Sequence, residues 1–247
     1  MSISYAVNDH VGSIVIDHGP ANRIDATFIE ELGRAAEAAA QSSARAVVIS
    51  ASGEDFSGGG AATLGAGMNL DQLRALVRRI NQVFDLVEAI PVPTIAAVQG
   101  RAWGGGFELA LRADFILADQ DALFRFPEAT VGVLPLAGGA QRLAARVGVA
   151  VANTAVMLAD EIPAAELGAT GLLTVTPSGA LGEHTQRLAT RLASGPTQAY
   201  AGTKAVLAAW ARSGLAASDE VMMDRASRLF GTEDVVLAAT GAAFVGR

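Results

Sequence analysis

Two glycine triplets are the first feature of this sequence whose residue type and spacing could do chemistry. They occupy residues 58–60 and 104–106, and each follows a predicted strand. Consecutive glycines are costly in conformational entropy unless the backbone must approach something closely or adopt unusual φ/ψ angles. The second triplet opens a predicted helix, where unpaired N–H groups and the positive end of the helix dipole favour a developing oxyanion. Either triplet alone could still be a plain turn.

Two glutamates in apolar sequence surroundings are the second feature. Glu108 lies three residues after Gly105, about one helical turn, so its side chain can project beside the N–H group of that glycine. Glu128 follows Phe126 and Pro127. Apolar surroundings raise a carboxyl pKa, and two such carboxyls could divide acid and base roles. Sequence spacing does not show that the two meet, and each could be an ordinary surface glutamate.

Other kinds of site lack their residues in this sequence. The GxGxxG pattern of a dinucleotide fold fails at both triplets, because Thr63 and Leu109 stand where its third glycine belongs. A P-loop fails as well, since the single lysine is Lys204. The chain has no cysteine, and its three histidines are not at metal-ligand spacing. We therefore expect no metal site, and a dehydrogenase is only a remote alternative.

Composition limits the partners of the protein. The chain has 247 residues, of which 51% are hydrophobic, and a formal net charge of -7. Nucleic-acid binders carry a basic stripe that neutralises phosphates, and none is present. Residues 1–9 lack the features of a signal peptide, and no apolar stretch reaches the ~20 residues of a membrane span. We therefore expect a cytoplasmic protein that binds neither nucleic acid nor membrane.

The order of the predicted elements indicates an α/β protein. Short buried strands alternate with helices, which is typical of a parallel or mixed sheet covered by helices. Strands are predicted at residues 4–7, 12–17, 46–50, 92–98, 113–118 and 171–176, and helices at 25–41, 69–89 and 107–111. From about residue 182 we predict three or four helices, one starting at Pro196, with breaks at Gly214 and Gly231. This tail is too small for a core of its own, so it should pack on the main body or on another subunit.

Two longer segments resemble the central signature of the crotonase family, which is also called the enoyl-CoA hydratase/isomerase family. The segments are PTIAAVQG at 93–100 with AWGGGFELA at 102–110, and ALFRFPE at 122–128 continuing through Pro135, Gly138, Gly139 and QRL at 141–143. Weaker matches lie at Pro20, Asn22, 55–60, 164–166, 171–172, Lys204 and 232–234. The resemblance therefore covers nearly the whole chain.

The resemblance implies a fold and an assembly. The expected α/β fold is a crotonase-like spiral of ββα repeats that forms the catalytic core over residues 1–181. A C-terminal helical region, residues 182–247, would build trimers that often stack as hexamers. The expected partners are therefore a small acyl-CoA substrate and further copies of the chain. No separate cofactor is expected, because coenzyme A enters as part of the substrate.

The resemblance also assigns roles to residues. The oxyanion hole would be formed by the N–H groups of Gly60 and Gly105. The substrate would be bordered by Gly60, Gly105, Leu136 and the loop residues Ala61, Ala62 and Thr63. Glu108 would act as base on a water held over C3 of an enoyl thioester, and Glu128 would supply a proton to C2.

Three departures from the family pattern accompany the match. Ala61 stands where the family usually has Asp, and Leu136 replaces a common glycine at the loop bordering the catalytic water. The C-terminal residues 242–247 lack the basic element that contacts the nucleotide of coenzyme A in relatives. Arg23 and Arg101 are the candidate replacements.

The sequence favours an enoyl-CoA hydratase because both glutamates are present. Three alternatives remain within the family. Glu128 alone could shuttle a proton in double-bond isomerisation, and such an enzyme should survive Glu108→Gln. The oxyanion hole could serve decarboxylation or C–C bond hydrolysis. The altered loops could also belong to a non-catalytic or carrier-protein-directed relative.

Overall fold

The structure, a computed structural model, describes residues 2–61, 64–232 and 234–236. The strands are β1 (Ser2–Asn8), β2 (Val11–Asp17), β3 (Ala46–Ala51), β4 (Thr94–Val98), β5 (Arg101–Trp103), β6 (Phe115–Asp119), β7 (Leu123–Arg125), β8 (Ile162–Pro163) and β9 (Thr174–Thr176). The α-helices are α1 (Ala26–Gln41), α2 (Leu70–Glu88), α3 (Gly105–Ala110), α4 (Gly139–Val147), α5 (Val149–Asn153), α6 (Ala164–Ala169), α7 (Leu181–Ala193) and α8 (Thr197–Leu229). A 3-10 helix spans Pro127–Val131, and a π-helical turn spans Thr154–Leu158.

The larger sheet has six strands in the order β1-β2-β3-β4-β6-β9. Its first two strands form an antiparallel hairpin, and all other neighbours are parallel. The hairpin turn places Asp9 at φ 47° and His10 at φ 64°, the left-handed conformation that two-residue type I′ turns need. All five residues of β4 are buried, which is typical of a parallel strand with both faces of its sheet covered.

The smaller sheet, in the order β5-β7-β8, carries the chain from the large sheet to the helices. The chain leaves β4 for β5 and then enters α3, and it leaves β6 for β7 and then enters the 3-10 helix and α4. This strand–strand–helix sequence is the repeat that the family resemblance predicts. The strands of the smaller sheet were not predicted individually, because two or three residues are too few to show an alternating pattern.

The first two long helices begin where their capping residues predict. Asp25 Oδ1 accepts a hydrogen bond of 2.8 Å from the backbone N of Phe28 at the start of α1. At the start of α2, Asn69 and Gln72 form a reciprocal capping box. The apolar face of α1, which includes the fully buried Leu32, packs into the main core.

Of the two C-terminal helices, α7 packs on the main body, one of the two positions expected for a tail without its own core. Helix α8 contacts the body near its start, where Lys204 pairs with Asp114, and its Leu207, Leu215 and Met223 are more than half exposed. Ala189 and Leu192 of α7 join a cluster with Val48 and Ile95 of the large sheet. The long helix α8 is interrupted at Gly214, where φ is 77°, which confirms the predicted break. The division at residues 181/182 and the trimer or hexamer remain predictions. None of the helices among the described residues has the length and apolar character needed to cross a membrane.

Candidate active site

The structure brings the two glycine triplets side by side. Trp103 N donates to Ser57 O over 2.9 Å, so the chain leading into the second triplet runs beside the chain leading into the first. Gly59 has φ +79°, and a Cβ atom built on it would lie 2.5 Å from Trp103 O and 3.5 Å from Gly105 N. A side chain at residue 59 would therefore force the two triplets apart.

Two N–H groups at this junction are left unbonded. The backbone amides of Gly60 and Gly105 have no acceptor among the described residues. Three neighbouring amides are bonded: Gly59 N to Ser57 Oγ (3.2 Å), Ala61 N to Ile24 O (2.9 Å) and Gly104 N to Arg125 O (2.8 Å). Gly106 N, one residue further into α3, has no acceptor among the described residues, as is usual for the first amides of a helix. Gly60 is exposed and Gly105 is half-buried, so both donors are open to an acceptor from outside the chain. The Gly105 amide is one of the donors that the start of a helix leaves free.

Glu108 occupies the first turns of α3 with its carboxyl group buried. The residue is 2% exposed, and its Oε1 accepts hydrogen bonds of 2.8 Å from the backbone N atoms of both Ala137 and Gly139. Burial raises the pKa of the Glu108 carboxyl, and the two amide donors offset only part of this effect. One oxygen is thus fixed by the backbone, and a raised pKa suits a general base.

Glu128 lies on the 3-10 helix, against the second triplet. A Cβ atom built on Gly104 would lie 2.5 Å from Glu128 Oε1, and Glu128 Oε2 is buried without a partner among the described residues. Burial, together with a smaller contribution from the negative charge of Glu108, raises the pKa of Glu128 to about 7. The two carboxyls that sequence spacing left apart therefore lie around the same triplet and influence each other electrostatically.

Replacing Glu128 with glutamine is expected to raise the melting temperature more at pH 8 than at pH 5. The carboxyl has a pKa of about 7 in the folded chain against an ordinary 4.5. The unfolded state therefore loses this proton first, and the folded state is destabilised increasingly as pH rises from 4.5 to 7, with no further change above. A neutral amide removes that cost. Thermal denaturation of both proteins at the two pH values checks this, and an equal difference at both would contradict the burial of a titrating carboxyl.

The predicted substrate-binding residues flank these groups where the structure describes them. Ala61 follows the unbonded Gly60 amide, and its carbonyl accepts from Leu64 N over 2.9 Å. Ala62 and Thr63 lie outside the described residues. Leu136 is 40% exposed and directly precedes Ala137, and its carbonyl accepts from Asn81 Nδ2 over 2.7 Å.

The two arginines considered for the coenzyme A nucleotide have different surroundings. Arg101 forms a two-pronged ion pair with Asp55, with N–O distances of 2.9 and 2.6 Å, and the pair lowers the pKa of the Asp55 carboxyl. Arg23 is exposed, and its Nη1 donates to Gly58 O over 2.5 Å. Arg23 forms no ion pair within the described ranges, so its charge is the one available to a ligand at the first triplet.

The backbone partners of Glu108 were not found from the sequence. They lie 29 and 31 residues further along the chain, so no local periodicity connects them to the glutamate. The glycines at 138 and 139, which belong to the family motif, were the only available signal. The buried arginine Arg112, which contacts the same loop, was also missed as a site residue.

Comparison with known proteins identifies the family. The sequence profile of the enoyl-CoA hydratase/isomerase family matches residues 6–242. A protein of Rhodobacter capsulatus named "Probable enoyl-CoA hydratase" is 33% identical over 205 residues, which are 82% of this chain and 79% of that protein. The carnitinyl-CoA dehydratase of Proteus mirabilis is 32% identical over 211 residues, 83% of this chain and 79% of that enzyme. The chain belongs to the enoyl-CoA hydratase/isomerase family.

A solved structure gives the same result for the fold. The crystal structure of enoyl-CoA hydratase from Bacillus anthracis superposes with a TM-score of 0.90 at 29% sequence identity, over 98% of this chain and 96% of that one. The predicted crotonase-like α/β fold is thereby confirmed.

Proposed function

We propose that this protein is an enoyl-CoA hydratase, which adds water across the C2=C3 double bond of an α,β-unsaturated acyl-CoA thioester. The observation that carries the proposal is the adjacency of the two triplets, whose Gly60 and Gly105 amides are unbonded, to two carboxyls of raised pKa, Glu108 and Glu128. The names of the relatives agree, since hydratases and dehydratases run the same reaction in opposite directions.

The two amides supply the oxyanion hole in this proposal. The thioester carbonyl oxygen accepts hydrogen bonds from the N–H groups of Gly60 and Gly105. When a nucleophile adds at C3, the electron pair moves through C2 onto that oxygen and forms an enolate, whose charge both amides stabilise. One such donor is typically worth about 3–4 kcal/mol of barrier. The amide of Gly105 also lies at the start of α3, where the helix dipole favours negative charge.

The two glutamates divide the proton transfers. Glu108 accepts a proton from the water whose oxygen bonds to C3, using the oxygen that the Ala137 and Gly139 amides do not hold. Glu128 then gives its proton to C2, and the carbonyl re-forms. A pKa of about 7 leaves a substantial protonated fraction of Glu128 at neutral pH, which an acid in this step needs. Glu108 then releases the proton that it took from water to the solvent, and Glu128 takes up a proton from the solvent, so both carboxyls return to their starting states.

The substrate's coenzyme A moiety would lie along the first triplet. Ala61, Ala62 and Thr63 would border the thioester. The exposed Arg23, which bonds the Gly58 carbonyl of the first triplet, would be available to a phosphate. Leu136 narrows the space beside the Glu108 loop, because a leucine side chain stands where relatives have a glycine. The enzyme would accordingly accept acyl groups small enough not to collide with the Leu136 side chain.

The parent protein is expected to hydrate crotonyl-CoA, followed as loss of the enoyl absorbance. The ratio kcat/KM should fall as pH rises above about 7, because Glu128 loses the proton that C2 receives. The ratio kcat/KM should also fall toward acid pH as Glu108 becomes protonated. The two limbs of this pH profile report the apparent pKa values of the coupled pair of glutamates. A protein inert toward short and medium enoyl thioesters would end the hydratase proposal, and binding of CoA thioesters by calorimetry would then separate another family chemistry from a non-catalytic relative.

A further inference from the structure

A buried arginine lies behind the loop that holds Glu108. Arg112 follows α3 and is 1% exposed. Its Nη1 donates to Asp85 and, over 2.7 Å, to Glu88, both on α2, and its Nη2 donates to Ala137 O over 2.6 Å. Arg112 therefore donates to the backbone carbonyl of Ala137, while the backbone amide of the same residue donates to Glu108.

A second arginine completes the cluster from the other side of the loop. Arg142 of α4 donates to Glu88 Oε2 over 2.5 Å and to Gly138 O over 3.4 Å. Both arginines thus share one carboxylate on α2, and each reaches a carbonyl between the two amides that bind Glu108. We call Arg112, Arg142, Asp85 and Glu88 the loop cluster.

Stability alone is a weak reason for such a cluster. The Arg112 side chain is fully buried while Asp85 and Glu88 are partly exposed, and the cost of desolvating a charge can cancel the attraction within such a pair. The loop cluster instead fixes the orientation of the loop relative to α2, because a planar guanidinium has donors at fixed angles and can bind both at once. What it fixes is the pair of amides that orient the carboxyl of Glu108.

We propose that Arg112 is a positioning residue for the hydration reaction: the loop cluster holds the Ala137 and Gly139 amides on one oxygen of Glu108 and so aims the other oxygen at the substrate water. This inference rests on the proposed function. Arg112 itself touches no reacting atom. Its effect on catalysis passes through the backbone of residues 137–139.

The charged groups around Glu108 also predict a change in its titration. Arg112 and Arg142 lower the pKa of Glu108 electrostatically, Asp85 and Glu88 pair with those arginines from α2, and Glu128 faces the site as a second acid. Loss of the Arg112 charge raises the pKa of Glu108, and loss of the hydrogen bonds from the Ala137 and Gly139 amides raises it as well. The acid limb of the rate profile should therefore move to higher pH.

The test compares Arg112→Met and Arg112→Lys with Arg146→Met. Arg146 of α4 is the control, because its Nη2 also bonds a backbone carbonyl, Ala113 O over 2.6 Å, but one outside the loop. Arg112→Met should lower kcat for crotonyl-CoA hydration by about 10- to 100-fold with KM within about twofold, as expected for misplaced catalytic groups. Arg146→Met should keep kcat within about twofold. Arg112→Lys keeps the charge but not the two-sided geometry, so it should fall between them.

A second readout does not depend on activity. Selective ¹⁵N labelling of alanine and glycine allows the Ala137 and Gly139 amide resonances to be followed as Glu108 titrates. In the parent and in Arg146→Met these amides should share one titration midpoint, and in the Arg112 variants the midpoint should rise and the shift amplitude shrink. If Arg112→Met is poorly folded, Arg112→Lys carries the test.

Two outcomes would overturn the positioning role. One is an Arg112 variant that keeps the kcat and acid limb of the parent. The other is unchanged titration of both amides. If the parent does not hydrate enoyl thioesters, the proposed function fails, but the amide titration still decides whether Arg112 orients Glu108.

Discussion

Glu108→Gln is expected to lower kcat for crotonyl-CoA hydration by about 10²–10⁴-fold, the usual contribution of a positioned general base. Glutamine has nearly the size of glutamate, and its amide oxygen can still accept from Ala137 and Gly139. It cannot take a proton from water. KM should change little, because in the proposed mechanism the amides of Gly60 and Gly105, and not this side chain, hold the substrate carbonyl.

A surface glutamate provides the control for this substitution. Glu166 lies exposed on α6, so Glu166→Gln should keep the parent rate. Stopped-flow or steady-state loss of the enoyl absorbance measures both variants against the parent. A Glu108→Gln protein that hydrates at the parent rate would remove Glu108 from the mechanism. A parent that only migrates the double bond, with that activity intact in Glu108→Gln, would instead identify an isomerase that uses Glu128 alone.

Gly59→Ala is expected to lower kcat/KM by about 10²–10³-fold, the cost of losing one oxyanion donor. The new Cβ would lie 2.5 Å from Trp103 O, a backbone atom that cannot rotate away. Relief requires the two triplets to separate, which pulls the amides of Gly60 and Gly105 off a common oxygen. The melting temperature should fall as well, because φ at residue 59 is +79°.

Gly53→Ala separates the two causes. Gly53 has φ +86°, close to that of Gly59, but a Cβ there meets nothing within 4 Å. It should therefore bear the same conformational strain, about 1–2 kcal/mol, without moving the triplets. A loss of melting temperature in both variants, larger in Gly59→Ala because of the clash, with activity lost only in Gly59→Ala, would support the shared oxyanion site. Full activity in a folded Gly59→Ala protein would show that the two triplets do not act on one oxygen.

The parts of the fold that could be predicted are those with a local physical signal. Asp25 and Asn69 mark two helix starts because a capping side chain acts on amides only three residues away. The buried strand at 94–98 was visible because five consecutive buried positions leave a continuous apolar run. The strands β5 and β7 were not predicted, because three residues carry no periodicity and their pairing depends on partners far along the chain.

In the candidate site, too, the residues with a local sequence signal could be predicted and the contacts between distant segments could not. Glu108 and Glu128 were identified by type, by apolar sequence neighbours and by the family resemblance. The burial that raises both pKa values comes from residues brought together by folding. Arg112 illustrates the limit: it only interrupts an apolar run in the sequence, and its partners lie 24 to 27 residues before it and 25 after it. Contacts of that separation are set by the register of whole elements.

The six residues of α3 carry both the Gly105 amide and Glu108. In the proposed mechanism an oxyanion donor and a base therefore share one turn. They keep their separation when the helix shifts, because any displacement moves them together. Small movements of the body therefore alter only how this pair meets Gly60 and Glu128, which come from other segments. In such an arrangement, changes in the segments that carry Gly60 and Glu128 can alter which acyl groups are accepted, or how an enolate is used. The turn at 105–108 need not change.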